Sequence, residues 1–276
     1  MVIRIFDPET LVQDIAQLGF DEDEKGHFES WIDEPHGLIL VTGPTGSGKT
    51  TTLYSALKAL AGPEVNVTTI EDPIEMVWDG FNQVQVQPKI DLDFANALRH
   101  ILRQDPDVIM VGEIRDRETA DIAIRAALTG HFVYSTLHTN DAPSAITRLT
   151  DMGVENYLIS STLVSVLAQR LVRMICRHCK APAGTRLAPD GSRVECFRGA
   201  GCEHCFGSGY TGRVGIFELM ELNDELRTLI LKNADAVQLT TVARRNGMRN
   251  LREDGWLKAA SGLTTAEEVM RVTQEF

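Results

Sequence analysis

The run Gly43-Pro-Thr-Gly-Ser-Gly-Lys-Thr50 carries the strongest chemical signal in the chain, a match to G-x-x-x-x-G-K-[ST]. Glycines at this spacing let a turn close tightly enough that its backbone N–H groups point inward at an anion. A helix starting there adds the positive end of its dipole. Lys49 would then reach the β and γ phosphates of a nucleotide, and the Thr50 hydroxyl would ligate Mg²⁺. The candidate nucleotide contacts are Gly43, Pro44, Thr45, Gly46, Ser47, Gly48, Lys49, Thr50 and Thr51, with ATP and Mg²⁺ as ligands. The competing reading is a chance pattern in a glycine-rich turn. An apolar run before the motif and a helical pattern after it favour the phosphate loop.

A phosphate cradle does not define a task. Hydrolysis needs acids near the γ-phosphate, and two acidic clusters follow strand-like runs: Glu71-Asp-Pro-Ile-Glu75 and Gly112-Glu113. In open α/β sheets ligands bind beyond the carboxyl ends of strands, where both clusters fall. Glu113 is the candidate for ordering or deprotonating the attacking water. The Asp that usually closes such a strand is replaced by Gly112, so Glu71 and Glu75 are candidates for part of the Mg²⁺ water shell. His131 and His138 bracket the next strand end. A histidine there can sense nucleotide by hydrogen bonding, although such a residue is more often structural. Arg115 is suited either to neutralising transition-state charge or to pairing with Asp116.

All five cysteines fall between Cys176 and Cys205. Cys176-x-x-Cys179 and Cys202-x-x-Cys205, with 22 residues between the pairs, read as a closed tetrahedral Zn²⁺ site. The alternatives are a redox dithiol and inert buried thiols. Four thiolates leave no open position, so such a metal would staple the chain and not catalyse. Cys196 is left over, a bystander or a competitor for the fourth ligand position.

The elements that must position these groups alternate. Leu38–Thr42 and Val108–Val111 are continuous apolar runs, as for strands covered on both faces. Helical patterns follow at 50–60, 94–103 and 118–128, and further strands are expected at Val65–Ile70, Gln83–Gln87 and His131–Thr136. This alternation predicts an α/β domain on a largely parallel sheet. Val2–Phe6 reads as an orphan strand belonging to a domain upstream, followed by a helical stretch Leu11–Leu18 and an acidic turn Asp21–Glu24. After Leu171 the periodicity fades into a segment rich in Cys, Gly and Pro. From Asn223 onward helices dominate, one of them opened by the capping box Thr265-Ala-Glu-Glu268. The division expected is 1–36 as the remnant of an upstream domain and linker, 37–172 as a RecA-like ATPase core, 173–213 as a tetracysteine zinc-binding element and 214–276 as a helical subdomain.

The 276 residues suffice for a sizeable core. No apolar run approaches the ~20 residues of a membrane-spanning helix. The first residues lack the pattern of a signal peptide, which argues against export. A net charge of −12 and only 6% aromatic residues argue against a nucleic-acid partner and against generic adhesion to anionic lipid.

Taken together, the Gly43–Thr50 loop, Ile70-Glu-Asp-Pro-Ile-Glu75, the run from Leu102 through Val-Gly-Glu113-Ile-Arg-Asp116, and Gly130-His…Ser135-Thr-Leu-His-Thr-Asn-Asp141 resemble the secretion ATPases of bacterial type II secretion and type IV pilus assembly. The resemblance runs from about Val2 to Val272. It implies a Walker A motif, an Asp box, an atypical Walker B motif with Glu113 as catalytic glutamate, and a His box that gives His138 a role. The tetracysteine element and Gly207-Ser-Gly-Tyr-Thr-Gly-Arg-Val-Gly-Ile-Phe-Glu218 resemble the assembly and export branch. Pilus retraction ATPases of the family generally lack these cysteines. The family further implies a cytoplasmic homo-hexamer, peripheral at the inner membrane and partnered by inner-membrane platform proteins. It also implies arginines lent to the ATP site by a preceding domain. The loop between the cysteine pairs is short for the family, and Cys196 is extra. The alternative from the same core is a nucleic-acid-translocating motor of the DNA-uptake or conjugation type.

Overall fold

The computed structural model describes residues 13–273. The strand expected at Val2–Phe6 lies outside the described residues. Of the helix expected at Leu11–Leu18, only a single 3₁₀ turn at Ile15–Gln17 is described. Asp21 does not make a turn. Its Oδ1 accepts from the Glu24 N–H at 2.8 Å, while Glu24 Oε2 accepts from the Asp21 N–H at 3.0 Å. This reciprocal cap starts helix α1 (Glu22–Ile32).

The alternation then follows in order: β1 (Gly37–Thr42), α2 (Lys49–Leu60), β2 (Val67–Glu71), β3 (Asn82–Gln85), α3 (Phe94–Ile101), β4 (Val108–Val111), α4 (Arg117–Leu128), β5 (Phe132–Leu137), α5 (Pro143–Asp151) and α6 (Asn156–Thr162). Next come β6 (Leu163–Ile175), the hairpin β7 (Lys180–Leu187) and β8 (Arg193–Gly199), β9 (Tyr210–Glu221), and helices α7 (Asp224–Leu231), α8 (Ala236–Arg245), α9 (Leu251–Ala260) and α10 (Ala266–Thr273).

Seven strands form one sheet in the order β3-β2-β4-β5-β1-β6-β9. The first six are parallel, and β9 runs antiparallel to β6. All six residues of β1 are buried because both faces of the sheet are covered. Leu38 and Leu40 pack on one side with Leu98, Ala123, Ile146 and Leu158 of α3 to α6. Ile39 and Val41 pack on the other with Phe28 and Trp31 of α1, and Leu53, Tyr54 and Leu57 of α2.

The change of character expected after Leu171 does not occur there. Strand β6 continues without a break to Ile175 and pairs with β9 from Ser165↔Glu221 to Ile175↔Tyr210. The buried Ser165 and Gln169, the half-buried Arg170 and the exposed Arg173 interrupt the apolar run, and the last three have partners that the sequence pattern does not reveal. Strand β9 crosses position 213 and rejoins the main sheet.

Ion pairs tie α1 to α9 and to Arg249 just before it. Lys258 Nζ, 2.5 Å from Asp254 Oδ2 within α9, lies 4.0 Å from Glu24 Oε2, and Arg249 lies 2.5 Å from Asp21 and 3.1 Å from Glu24. Burial and the nearby Asp254 carboxylate push Glu24 up to about 7. The capping box expected at Thr265 is half made. Thr265 Oγ1 accepts from the Glu268 N–H at 3.2 Å, but the Glu268 carboxylate turns instead to the Arg173 backbone N–H and to the guanidinium groups of Arg173 and Arg271.

Candidate active site and tetracysteine cluster

The parallel strands end on one edge, and the sequence candidates collect there. β1 ends at Thr42 and passes directly into the glycine-rich loop. Gly43 has φ 149°, and a Cβ on it would lie 2.5 Å from Gln169 O and 2.6 Å from Ser47 Oγ. Gly48, at φ 94°, caps helix α2 in the left-handed region, and a Cβ there would meet Gln169 Nε2 at 2.7 Å. Only glycine satisfies both the dihedral and the space at these two positions. Lys49 Nζ donates to Gly43 O at 2.8 Å and Pro44 O at 3.2 Å, so its ammonium sits over the mouth of the loop. Burial lowers its pKa, and the nearby Glu113 and Glu75 carboxylates counter that effect. Thr50 and Thr51 stand in the first turn of α2, half-buried, and Ser47 Oγ is buried with no hydrogen-bond partner.

Gly112 follows β4 because there is little room for more. A Cβ would press on Ile70 O at 3.0 Å, and the Gly112 N–H donates to that same carbonyl at 2.8 Å. The chain then presents Glu113. Its Oε1 accepts from Arg115, and its Oε2 lies 3.6 Å from His138 Nε2. Arg115 also approaches Asp72 Oδ2 at 3.5 Å. Of the two roles left open for Arg115, pairing with Asp116 is absent. Asp116 instead caps α4 by accepting from the Thr119 N–H at 2.8 Å. His138 follows β5, and the loop that carries it is tied to the foot of the phosphate loop. Thr42 Oγ1 accepts from the Thr139 N–H at 2.9 Å and lies 2.7 Å from Thr139 Oγ1. His131 stands apart, with Nδ1 3.1 Å from Ala126 O at the end of α4.

Glu71 is the candidate whose surroundings differ most from the sequence expectation. It is buried, and three donors occupy its carboxylate: Tyr54 OH at 2.6 Å, Thr69 Oγ1 at 2.6 Å and Gln83 Nε2 at 3.1 Å. That arrangement anchors α2 to β2 and β3 and leaves little capacity to hold metal-bound water. Glu75, partly exposed and close enough to Lys49 to act on its charge, keeps its carboxylate available.

Three residues of β6 and β9 escaped the sequence reading. Gln169 is buried, accepts from Thr52 Oγ1 at 2.8 Å and donates through Nε2 to Ser47 O at 2.9 Å, clasping the loop and the helix behind it. Arg170 donates to Gln169 O and to Asn140 O, each at 3.0 Å. Glu218 is buried and accepts from the Ala142 N–H at 2.7 Å; burial pushes it up to about 7, against the pull of that hydrogen bond. Gln169 and Arg170 belong to no motif with a spacing rule, so only tertiary structure exposes them. Glu218 ends the Gly207–Glu218 run, whose chemistry the sequence leaves unstated.

Beyond the end of β6, Cys176, Cys179, Cys202 and Cys205 bring their sulfurs within 4.8 Å of one another. Three of the separations are 3.7–3.8 Å. A tetrahedron with Zn–S bonds of about 2.3 Å has edges of about 3.8 Å, so the cluster is compatible with zinc. Backbone N–H groups of Gly201, Cys202 and Gly209 donate to Cys179 or Cys205 sulfurs at 3.2–3.3 Å, as thiolates require. Cys196 is outside the cluster. It is buried with Trp256, Ala259, Ala266 and Val269, which pins the β7–β8 hairpin to α9 and α10.

A sheet of this order, with the phosphate loop after its buried central strand and acids at the neighbouring strand ends, defines a RecA-like P-loop fold. The profile of the Type II/IV secretion system protein family matches residues 1–271, and the chain belongs to that family. It is 52% identical over 281 residues to the type IV pilus assembly ATPase TfpB of Acinetobacter baylyi, covering 99% of this chain and 48% of that protein. It is 50% identical over 286 residues to the type II secretion system protein E of Xanthomonas campestris, covering 100% of this chain and 50% of that one. Thus the chain spans about half the length of these relatives. Among solved structures, the pilus retraction motor PilT with bound ADP aligns with TM-score 0.75 and 32% identity, over 99% of this chain and 69% of that one.

Proposed function

We propose that this chain is the ATP-hydrolysing part of a motor that assembles a type II secretion pseudopilus or a type IV pilus. The observation that carries the reading is the convergence of Lys49, Glu113 and His138 on one sheet edge, in a chain that shares half its sequence with proteins named for those two machines. Residues 43–51 would hold the phosphates, with Lys49 drawn off the loop carbonyls onto the β and γ oxygens. Thr50 would ligate Mg²⁺, with Glu75 as the acid free to hold its water shell, and the bound metal would neutralise phosphate charge. Glu113 would orient and deprotonate the attacking water. His138 would hold that carboxylate from one side and Arg115 from the other, and Arg115 would turn to the developing charge as water is activated. Glu71 would support the site by fixing Tyr54 on α2.

The same reading keeps an ATPase core, a zinc element held by the four cysteines and a C-terminal helical subdomain, with β6 to Ile175 and β9 from Tyr210 counted in the core sheet instead of being divided at 172 and 213. The residues before α1 would then link to an upstream domain, while α1 itself covers one face of the core sheet. The full-length protein would act as a cytoplasmic hexamer on inner-membrane platform proteins; among the described residues no helix is long and apolar enough to cross a membrane. The test is phosphate release from Mg·ATP by the full-length protein, measured with and without duplex DNA. Release that is independent of DNA is expected. No release would refute the reading, and strong stimulation by DNA at physiological salt would replace it with a nucleic-acid motor.

A further inference from the structure

The strands beside β1 bring a second cation to the mouth of the phosphate loop. Thr42, the last residue of β1, is flanked by Leu137 of β5 on one side and Ala168 of β6 on the other. Two residues beyond Ala168, Arg170 extends across the end of β1 and donates to Asn140 O at 3.0 Å, three residues beyond Leu137. Its neighbour Gln169 holds the loop itself through Ser47 O. The guanidinium therefore spans the gap between the phosphate loop and the segment that carries His138.

The partners of this group are unusual for an arginine. Its hydrogen bonds go to carbonyl oxygens, those of Gln169 and the main chain and side chain of Asn140. Among the described residues it forms no ion pair within 4.0 Å. Arg115, by contrast, is already paired with Glu113 and Asp72. Asp141 and Glu218 act on Arg170 only from a distance, and Glu218, pushed up to about 7, is a weak counter-charge near neutrality. Burial lowers the pKa of Arg170, and its charge lowers that of Lys49 in turn. A half-buried guanidinium without a carboxylate, beside a lysine aimed at phosphate, is a site prepared for an anion.

The geometry points to Arg170 as a cis-acting contact for the γ-phosphate, one that distinguishes ATP from ADP. This rests on the ATP-site reading above and adds a residue to it. When a γ-phosphate is present, the guanidinium exchanges Asn140 O for phosphate oxygen. The loop from His138 to Asp141 loses a tie that it keeps with ADP, so the nucleotide state is passed to the segment leading into α5.

The probes are Mg·ADP and Mg·AMPPNP, titrated into this chain. In Arg170→Gln, AMPPNP affinity should fall on the order of tenfold or more, the effect of one lost charged hydrogen bond, while ADP affinity changes less than about twofold. Arg170→Lys should recover part of the AMPPNP affinity. Equal weakening of both nucleotides, or an unchanged ratio, overturns the inference and leaves the ATP-site reading standing. Absence of nucleotide binding by the unaltered chain sinks that reading instead. A second measurement needs no variant. Amide exchange across residues 138–144 of the unaltered chain should be faster with AMPPNP than with ADP, and identical exchange overturns the inference.

Discussion

Replacing Gln169 with alanine removes a clasp and leaves its two partners behind. The Thr52 hydroxyl, fully buried, loses its acceptor at 2.8 Å, and Ser47 O loses its donor at 2.9 Å. A buried polar group left without a partner costs about 1–3 kcal/mol, so the pair costs about 2–6 kcal/mol. At roughly 2–4 °C per kcal/mol for a domain of this size, Tm should fall by about 4–24 °C. The more specific consequence is at the loop. Ser47 O fixes the peptide plane leading into Gly48 and Lys49, and Gly43 and Gly48 both pack against Gln169. Without it the loop amides lose their common aim, and the Kd for Mg·ATP should rise about tenfold or more. Gln169→Glu separates the two effects. A carboxylate still accepts from Thr52 but has nothing to donate to Ser47 O, and it places negative charge beside the phosphates. Thermal melts and nucleotide titration on the same three proteins read both quantities. The glutamate variant should regain at most the Thr52 share of the lost stability, and no affinity. Wild-type affinity in Gln169→Ala, or restored binding in Gln169→Glu, would refute the reasoning.

The tetracysteine cluster should bind one zinc per chain, and Cys205→Ser should lose it while Cys196→Ser keeps it; metal analysis showing the reverse pattern would reassign the ligands. Loss of the metal should raise amide exchange across 176–209 but spare β1 and α2, with the β7–β8 hairpin partly protected by Cys196 packed against Trp256. Glu268 is held at about 2, against burial, by Arg271, Arg173 and the Arg173 backbone N–H. A depressed carboxyl stabilises the fold above its unfolded pKa near 4.5 and loses that contribution as pH falls toward 2. Glu268→Gln should therefore cost roughly 3 kcal/mol at pH 7 and much less at pH 2, by denaturant titration; an equal cost at both would show that the ionised form is irrelevant.

Much of the fold was legible because the parallel strands are buried on both faces and so are uniformly apolar. Val108–Val111 has the same boundaries in sequence and structure, and Leu38–Thr42 differs by one residue. The cysteine pairs are legible because a four-thiolate cluster demands fixed types at fixed spacings, and the position of Glu113 at the end of β4 is legible because the strand before it is uniformly apolar. The second half of the sheet was not. Gln169, Arg170 and Arg173 break the apolar pattern of β6, and their partners lie up to 122 residues away in sequence, beyond the reach of any local rule. Helix α1 was hidden for a related reason. Its Glu24 looks like a solvated surface acid, and its burial depends on Lys258 and Arg249, which arrive only when α9 packs. Glu71 lies at the strand end that the sequence predicts, but the donors that occupy its carboxylate, Tyr54 and Gln83, reach it from other elements and have no local signal.

The central claim is that Lys49 binds the nucleotide and Glu113 hydrolyses it. The direct measurement is paired on the full-length protein: ATP affinity and phosphate release for Lys49→Ala and Glu113→Gln. Lys49→Ala should bind ATP poorly. Glu113→Gln should bind ATP within about threefold of the unaltered protein while turnover falls ~10²-fold or more, because the phosphate contacts remain and only the water-activating carboxylate is gone. Wild-type turnover in Glu113→Gln would contradict the account.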